Sequence, residues 1–211
     1  DQIRVWRIDD DTYNPSGRCW WRVMCQRSSQ ASTYTTPTNI NSRRQWRRVG
    51  GGWQTTATIR LREKDICTNK TGDCHVYVDR INLSRSRLLI ENGSRPVVLH
   101  LLGPGRGQSN TSRGESASIT LGSTALICGV DAYSNTCNRR PEQLIIVTDA
   151  TQAPDRCSTK DHRINLSGNS LPAAWVLMRQ GTVSLQNNTQ LQGMIWSHSY
   201  CANNHRLSLN A

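Results

Sequence analysis

The sequence contains no phenylalanine, although it is 211 residues long and carries seven tryptophans. A core without Phe has to be built from Leu, Ile, Val and Trp, which suits thin β-layers better than thick helical packing. Helical periodicity is also missing, because Gly, Pro or Asn interrupts every window that could place apolar residues at i, i+3, i+4 and i+7. These two absences predict an all-β fold.

Other absences bear on function. No apolar run is long enough to span a bilayer, and neither a C-x-x-C knuckle nor a G-x-S-x-G elbow occurs. His198, Cys201 and His205 lie close together but supply only three metal ligands, so an oxidised Cys201 is the favoured interpretation. We therefore expect no enzyme, no cofactor and no metal. The chain opens at Asp1 without an initiator Met, which leaves open a membrane anchor upstream.

Lysine is nearly absent as well: the chain has three, and arginine carries the rest of a net charge of +11. A strongly basic surface attracts polyanions such as nucleic acid, acidic polysaccharide or lipid headgroups. A second interpretation of this charge is plain hydration of a soluble surface. Composition alone leaves both open.

Cysteine, by contrast, is plentiful. Six of the eight cysteines form local pairs and two are left over, which favours disulfides and an oxidising compartment, extracellular or at the cell surface. Closeness in sequence predicts the pairs Cys19–Cys25, Cys67–Cys74, Cys128–Cys137 and Cys157–Cys201.

A short phrase, apolar-x-Leu followed by polar turn residues, recurs along the chain. Its clearest form is "RINLS", present at 80–84 and again at 163–167. Echoes of the phrase occur at Ile59-Arg60-Leu61, Ile119-Thr120-Leu121, Val183-Ser184-Leu185 and Leu207-Ser208-Leu209. The Leu positions lie 22, 38, 45, 19 and 24 residues apart, and counting the two longest steps as two turns gives a period of about 19 to 24 residues. This predicts a right-handed β-solenoid over 57–211, with a β-sandwich as the alternative.

The first 56 residues differ in composition and are predicted to form an irregular cap or flanking segment on the solenoid. They hold five of the seven tryptophans and the run "RRQWRR". Four guanidinium groups around an indole fit either the binding of DNA or acidic glycan or a contact between subunits. The candidate residues are Arg43, Arg44, Trp46, Arg47 and Arg48.

Residues 76–211 carry four further phrases in a fixed order: "SRPVVLHLLG", "SITLGS", "EQLIIVTDA" and "TVSLQNNTQLQGMIWS". In order and spacing they resemble the β-solenoid-like domain at the C-terminal end of certain bacterial pilus-assembly and minor-pilin proteins. The chain departs from that pattern at Gln186-Asn187, where the family usually has Gly, and in its many Cys and Arg residues.

That resemblance implies a non-enzymatic extracellular subunit with structural or adhesive work in a pilus-like or other surface filament. Its partners would be further copies of itself or pilin-like subunits, and an absent N-terminal helix would enter a filament core or a membrane. The alternative from the residues themselves is a module that binds a polyanion. An enzyme acting on polysaccharide is disfavoured, since no paired carboxylates align on neighbouring turns.

Overall fold

The chain is described by a computed structural model over residues 4–9, 24–28, 34–35, 42–49, 52–67, 69–102, 117–148, 157 and 161–210. Within these residues strands dominate, and helix is limited to two segments of one turn or less. The all-β class predicted from the sequence is therefore confirmed.

The described strands are β1 (Arg4–Asp9), β2 (Met24–Ser28), β3 (Tyr34–Thr35), β4 (Ser42–Val49), β5 (Gly52–Leu61), β6 (Cys74–Leu83), β7 (Arg87–Glu91), β8 (Val97–Leu101), β9 (Ser118–Leu121), β10 (Leu126–Val130), β11 (Leu144–Thr148), β12 (Arg163–Gly168), β13 (Ala173–Cys201) and β14 (Leu207–Asn210). The helical segments are α1 (Glu63–Ile66) and a 3₁₀ helix at Pro141–Gln143.

Most strand pairs are parallel and form three stacks. The first stack consists of β5, β7 and β10; the second of 74–78 in β6, then β8, β11 and 173–178 in β13; the third of 80–83 in β6, then β9, β12 and 182–189 in β13. From β7 to β12 the chain visits the first, second and third stack in turn, twice over. Because β6 and β13 each contribute to two stacks, the pairings of the ten-stranded sheet run in a closed circuit.

Each stack buries a row of aliphatic side chains in register. In the third stack the row runs through Ile81, Ile119, Ile164 and Val183, all without exposed surface. The corresponding rows are Ile59–Leu88–Ile127 in the first stack and Val76–Leu99–Ile146–Val176 in the second. Similar branched side chains stack on one another at the strand spacing, so this core needs no Phe.

The register overturns one expectation from the repeat. The Leu steps of 38 and 45 residues were counted as two turns each, but β6, β9 and β12 are immediate neighbours in the third stack. Each long step is thus one turn of the chain around the three stacks, and the segments that connect the stacks make it longer. The two RINLS phrases lie in the same stack with only β9 between them.

Two of the echoes belong elsewhere in the fold. Ile59-Arg60-Leu61 lies in the first stack, where it pairs with β7, and Leu207-Ser208-Leu209 pairs with 189–191 of β13. The phrase therefore does not mark a single stack. In β14 it does not mark a buried face either, since Leu207 is half-buried and Leu209 is 48% exposed.

The N-terminal residues contribute strands of their own. β1 pairs in parallel with β6, which sets Ile8 beside Ile81 in the third stack, while β4 and β5 form an antiparallel pair. The domain boundary predicted after residue 56 falls inside β5.

Three disulfides join the pairs Cys67–Cys74, Cys128–Cys137 and Cys157–Cys201, with Cα–Cα distances of 5.2, 5.6 and 5.8 Å. These are three of the four pairs that closeness in sequence predicts. The fourth, Cys19–Cys25, lies outside the described residues, except that Cys25 is part of β2. Disulfides of this number are typical of an oxidising compartment.

The segment 131–143 covers the outer side of the first stack. Leu89, Cys128 and Val130 form a small buried cluster beneath it. Arg60 lies on β5 and links the stack to this segment. Its Nη1 donates to Glu91 Oε1 of β7 at 3.0 Å, and its Nη2 donates to Asn135 Oδ1 of the segment at 2.8 Å. The Cys128–Cys137 disulfide fixes the same segment covalently.

Shortening a side chain in the middle of a buried row should destabilise the protein strongly. Ile119→Ala leaves a cavity between Ile81 and Ile164, and we expect a loss of about 2–5 kcal/mol in the free energy of unfolding. Leu209→Ala, at a position 48% exposed, serves as control and should lose about 1 kcal/mol. Urea denaturation followed by circular dichroism measures both, and equal losses would contradict the register.

Removing the disulfide over the first stack should loosen only the segment it holds. Cys128→Ser/Cys137→Ser is expected to lower the free energy of unfolding by about 2–4 kcal/mol and to speed amide exchange in 131–143. The matched variant Cys67→Ser/Cys74→Ser should leave exchange in 131–143 unchanged. Similar exchange profiles in the two variants would refute this local role.

Candidate functional site

The Arg/Trp-rich candidates lie on β4, which ends the four-stranded sheet in the order β10–β7–β5–β4. The antiparallel register sets Trp46 opposite Thr55 and Arg48 opposite Trp53. The remaining candidates on this strand are Arg43, Arg44 and Arg47. Their side chains lie outside the part of the chain that the structure describes, so their binding role stays a prediction.

Cys201 is bonded to Cys157 and is therefore not a thiolate ligand for a metal ion. Across the described ranges, no three His, Cys, Asp or Glu side chains come together as a metal site.

The outer side of the third stack is polar. Its outward rows are Arg80–Ser118–Arg163–Thr182 and Asn82–Thr120–Asn165–Ser184. Because side chains alternate between the two sides of a strand, the Ile and Leu of each RINLS phrase face the core and the Arg and Asn face outward. Neighbouring rungs are joined here: Asn165 Nδ2 donates to Thr120 Oγ1 at 3.2 Å.

The outer side of the second stack is apolar instead. Its outward rows are His75–Val98–Ile145–Trp175 and Tyr77–His100–Val147–Leu177. Ile145, Val147, Trp175 and Leu177 are only half-buried, although the inward residues between them are fully buried. This stack thus presents apolar side chains on both of its sides.

A further strand segment extends this surface. Gln192 N donates to Pro172 O at 2.9 Å, which sets the residues after Gln192 beside 173–178 as the next rung. Carrying that register forward places Met194 beside Trp175 and Trp196 beside Leu177. Met194 is 42% exposed and Trp196 is 60% exposed.

We call this surface the apolar face and define it by Val98, which is itself buried, together with Ile145, Val147, Trp175, Leu177, Met194 and Trp196. None of its members is charged, and they lie on four neighbouring rungs, which span roughly 14 Å at the usual strand spacing. Continuous apolar surface of this kind marks an interaction site more often than a plain solvated surface.

Aromatic rings border the apolar face on β6 and β8. On β6 and β8, Tyr77 stacks on His100 with ring centroids 4.8 Å apart, and His75 Nδ1 lies 2.8 Å from His100 Nε2. Tyr200 lies four residues beyond Trp196 in β13, where it is 45% exposed and partial burial raises the pKa of its phenol.

Comparison with known proteins adds no relative. No family model, curated protein or solved structure matches the chain. Within the described residues, no helix has the length and apolar character needed to cross a lipid bilayer. The resemblance to pilus-assembly and minor-pilin domains thus rests on the sequence phrases, which coincide with β8, β9, β11 and part of β13.

Sequence reasoning did not identify the apolar face. The signal was present in the uninterrupted apolar runs "PVVLHLLG", "QLIIVTDA" and "AAWVLM", which form β8, β11 and the start of β13. A strand with one solvated side alternates apolar and polar residues, whereas these runs do not. Only the register shows that their second side is a shared outer surface.

Proposed function

We propose that the protein is a non-enzymatic extracellular subunit of a pilus-like or other surface filament, with structural or adhesive work. The observation that carries the proposal is the apolar face, which offers contact area to a partner. Three disulfides support an oxidising location outside the cytosol. The resemblance of 76–211 to minor-pilin-type domains supports the same class.

For the architecture we infer a right-handed β-solenoid. The successive visits of the chain to three parallel stacks support it, and parallel strands joined by a crossover connect right-handedly in nearly all proteins. A β-sandwich, built from antiparallel sheets, fits these parallel registers poorly.

A second copy of this chain is the occupant that fits the apolar face. Two copies with a net charge of +11 repel each other, and contact through a surface without charge adds no further repulsion. The seven defining residues provide such a surface, which could meet its own copy about a two-fold axis and so form a closed pair as the unit of the assembly. Growth of these pairs into a filament would need a second, different contact. Burial of Trp175, Leu177 and Trp196 against the same side chains would remove apolar area from water.

Placing a carboxylate in the apolar face should prevent self-association. For Leu177→Asp we expect at least a tenfold weaker association, since a buried unpaired charge is costly. Sedimentation equilibrium over a concentration series, with electron microscopy of the assemblies, measures the effect. Tyr133→Asp makes the same charge change at a side chain 98% exposed on the segment over the first stack, and should associate like wild type.

The proposal fails if wild-type protein stays monomeric at high concentration, or if the Leu177→Asp variant assembles as wild type does. Circular dichroism of each variant checks that the fold is intact.

A second candidate function is polyanion binding through β4. The observation that favours it is the position of this arginine-rich strand at the end of the four-stranded sheet, where no further described strand covers it. DNA or an acidic glycan would lie along the strand, with phosphate or sulfate groups near its guanidinium groups.

Removing the arginines of β4 should weaken heparin and DNA binding. We expect Arg43→Ala/Arg44→Ala/Arg47→Ala/Arg48→Ala to elute from heparin at clearly lower salt and to show a shallower salt dependence of DNA affinity. Four exposed cations elsewhere, replaced in Lys64→Ala/Lys70→Ala/Arg179→Ala/Arg206→Ala, give a control with the same net charge. Equal elution of the two variants would show that net charge alone holds the polyanion.

A further inference from the structure

A polar cleft of about 400 Å³ opens on the outer side of the third stack, next to the second RINLS phrase at 163–167. The cleft lies on a different stack from the apolar face, so a ligand bound in it would be separate from the proposed assembly contact. Its lining residues are Thr120, Arg163, Asn165, Ser184, Leu185, Gln186, Asn203 and His205. None of these is acidic.

The back wall of the cleft is held by hydrogen bonds across three rungs. Arg163 Nε donates to Asn165 Oδ1 at 2.8 Å and to Ser184 Oγ at 3.0 Å. Ser184 Oγ also donates to Asn165 Oδ1, and Asn165 Nδ2 donates to Thr120 Oγ1 at 3.2 Å. Since each of these side chains has a fixed position, a ligand that meets the wall does not have to order it.

The other side of the cleft is the turn 202–206, which the backbone fixes in place. Thr189 N donates to Arg206 O at 2.8 Å, and Arg206 N donates to Asn188 Oδ1 at 2.8 Å. Asn203 and Asn204 adopt left-handed conformations with φ of 45° and 67°, which Asn tolerates better than most residues.

Three side chains at the mouth of the cleft have donors and acceptors that could bond to a ligand. Gln186 and Asn203 are exposed and His205 is half-buried. Within the part of the chain that the structure describes, none of the three makes a side-chain hydrogen bond. The hydroxyl proton of Thr120 is a further donor, because its oxygen accepts from Asn165.

We propose that this cleft binds a saccharide. Carboxamides carry both a donor and an acceptor, which matches the paired donor and acceptor of a sugar hydroxyl. The imidazole of His205 offers a small apolar surface to the C–H side of a sugar ring. The volume lies in the range of ~300–1,000 Å³ that small-ligand sites have. Without a carboxylate among its lining residues, the cleft admits sugars that carry a uronate as well as neutral ones.

A glycan array tests the site directly, with neutral and uronate-bearing oligosaccharides immobilised and the purified protein applied. Wild type should bind members of the array, and Gln186→Ala/Asn203→Gly should lower the affinity by roughly 10-fold or more through the loss of two hydrogen-bonding groups. Glycine at 203 keeps the left-handed backbone without strain. Binding confined to the uronate-bearing glycans, or shared with the neutral ones, identifies the class of sugar.

The matched control is Gln190→Ala/Asn204→Gly, which removes the same two side-chain types from neighbouring positions that do not line the cleft. It should bind as wild type does. The proposal is overturned if no glycan binds, or if the cleft variant and the control bind alike. Self-association, measured by sedimentation, should be unchanged in both variants, so failure here is distinct from failure of the filament proposal.

Discussion

The parallel register of the buried aliphatic rows is the constraint on which the rest of the structure depends. Ile81, Ile119, Ile164 and Val183 stack in one column, and backbone hydrogen bonds between their strands hold that column. A slip of one residue would turn every inward side chain outward, so the register is strongly specified. It also fixes which residues meet on the outer surfaces, because each outward row is the complement of an inward one.

This arrangement tolerates very different lengths between strands. Successive strands of the third stack are separated by Leu steps of 38, 45 and 19 residues, yet their inward rows align. The entropy cost of closing a loop rises only slowly with its length, so long insertions between stacks destabilise the fold little. Where a described insertion lies over a stack, as 131–143 does, a disulfide and the bonds of Arg60 hold it down.

Much of the third stack could be predicted from the sequence, because its strands alternate apolar and polar residues as in "RINLS" and "SITL". The second stack was harder to recognise, since both of its sides are apolar and alternation is absent. The spacing was misinterpreted because a count of residues cannot separate a long connection from an extra turn. The cleft was beyond sequence reasoning, since it needs Asn203 and His205 to come back beside Asn165 through a turn fixed by backbone bonds.

The contrast between the two outer surfaces is itself an argument for function. Both stacks satisfy the fold through their inward rows, and those rows are equally well buried. Folding therefore does not explain why the outer side of the second stack carries Ile145, Trp175 and Trp196. Nor does it explain why the outer side of the third stack carries hydrogen-bonded Asn, Ser and Thr. Polar residues would serve both sides equally well in water, and a solvated apolar side favours aggregation. This contrast is what supports the two separate proposals, association through the apolar face and saccharide binding in the polar cleft.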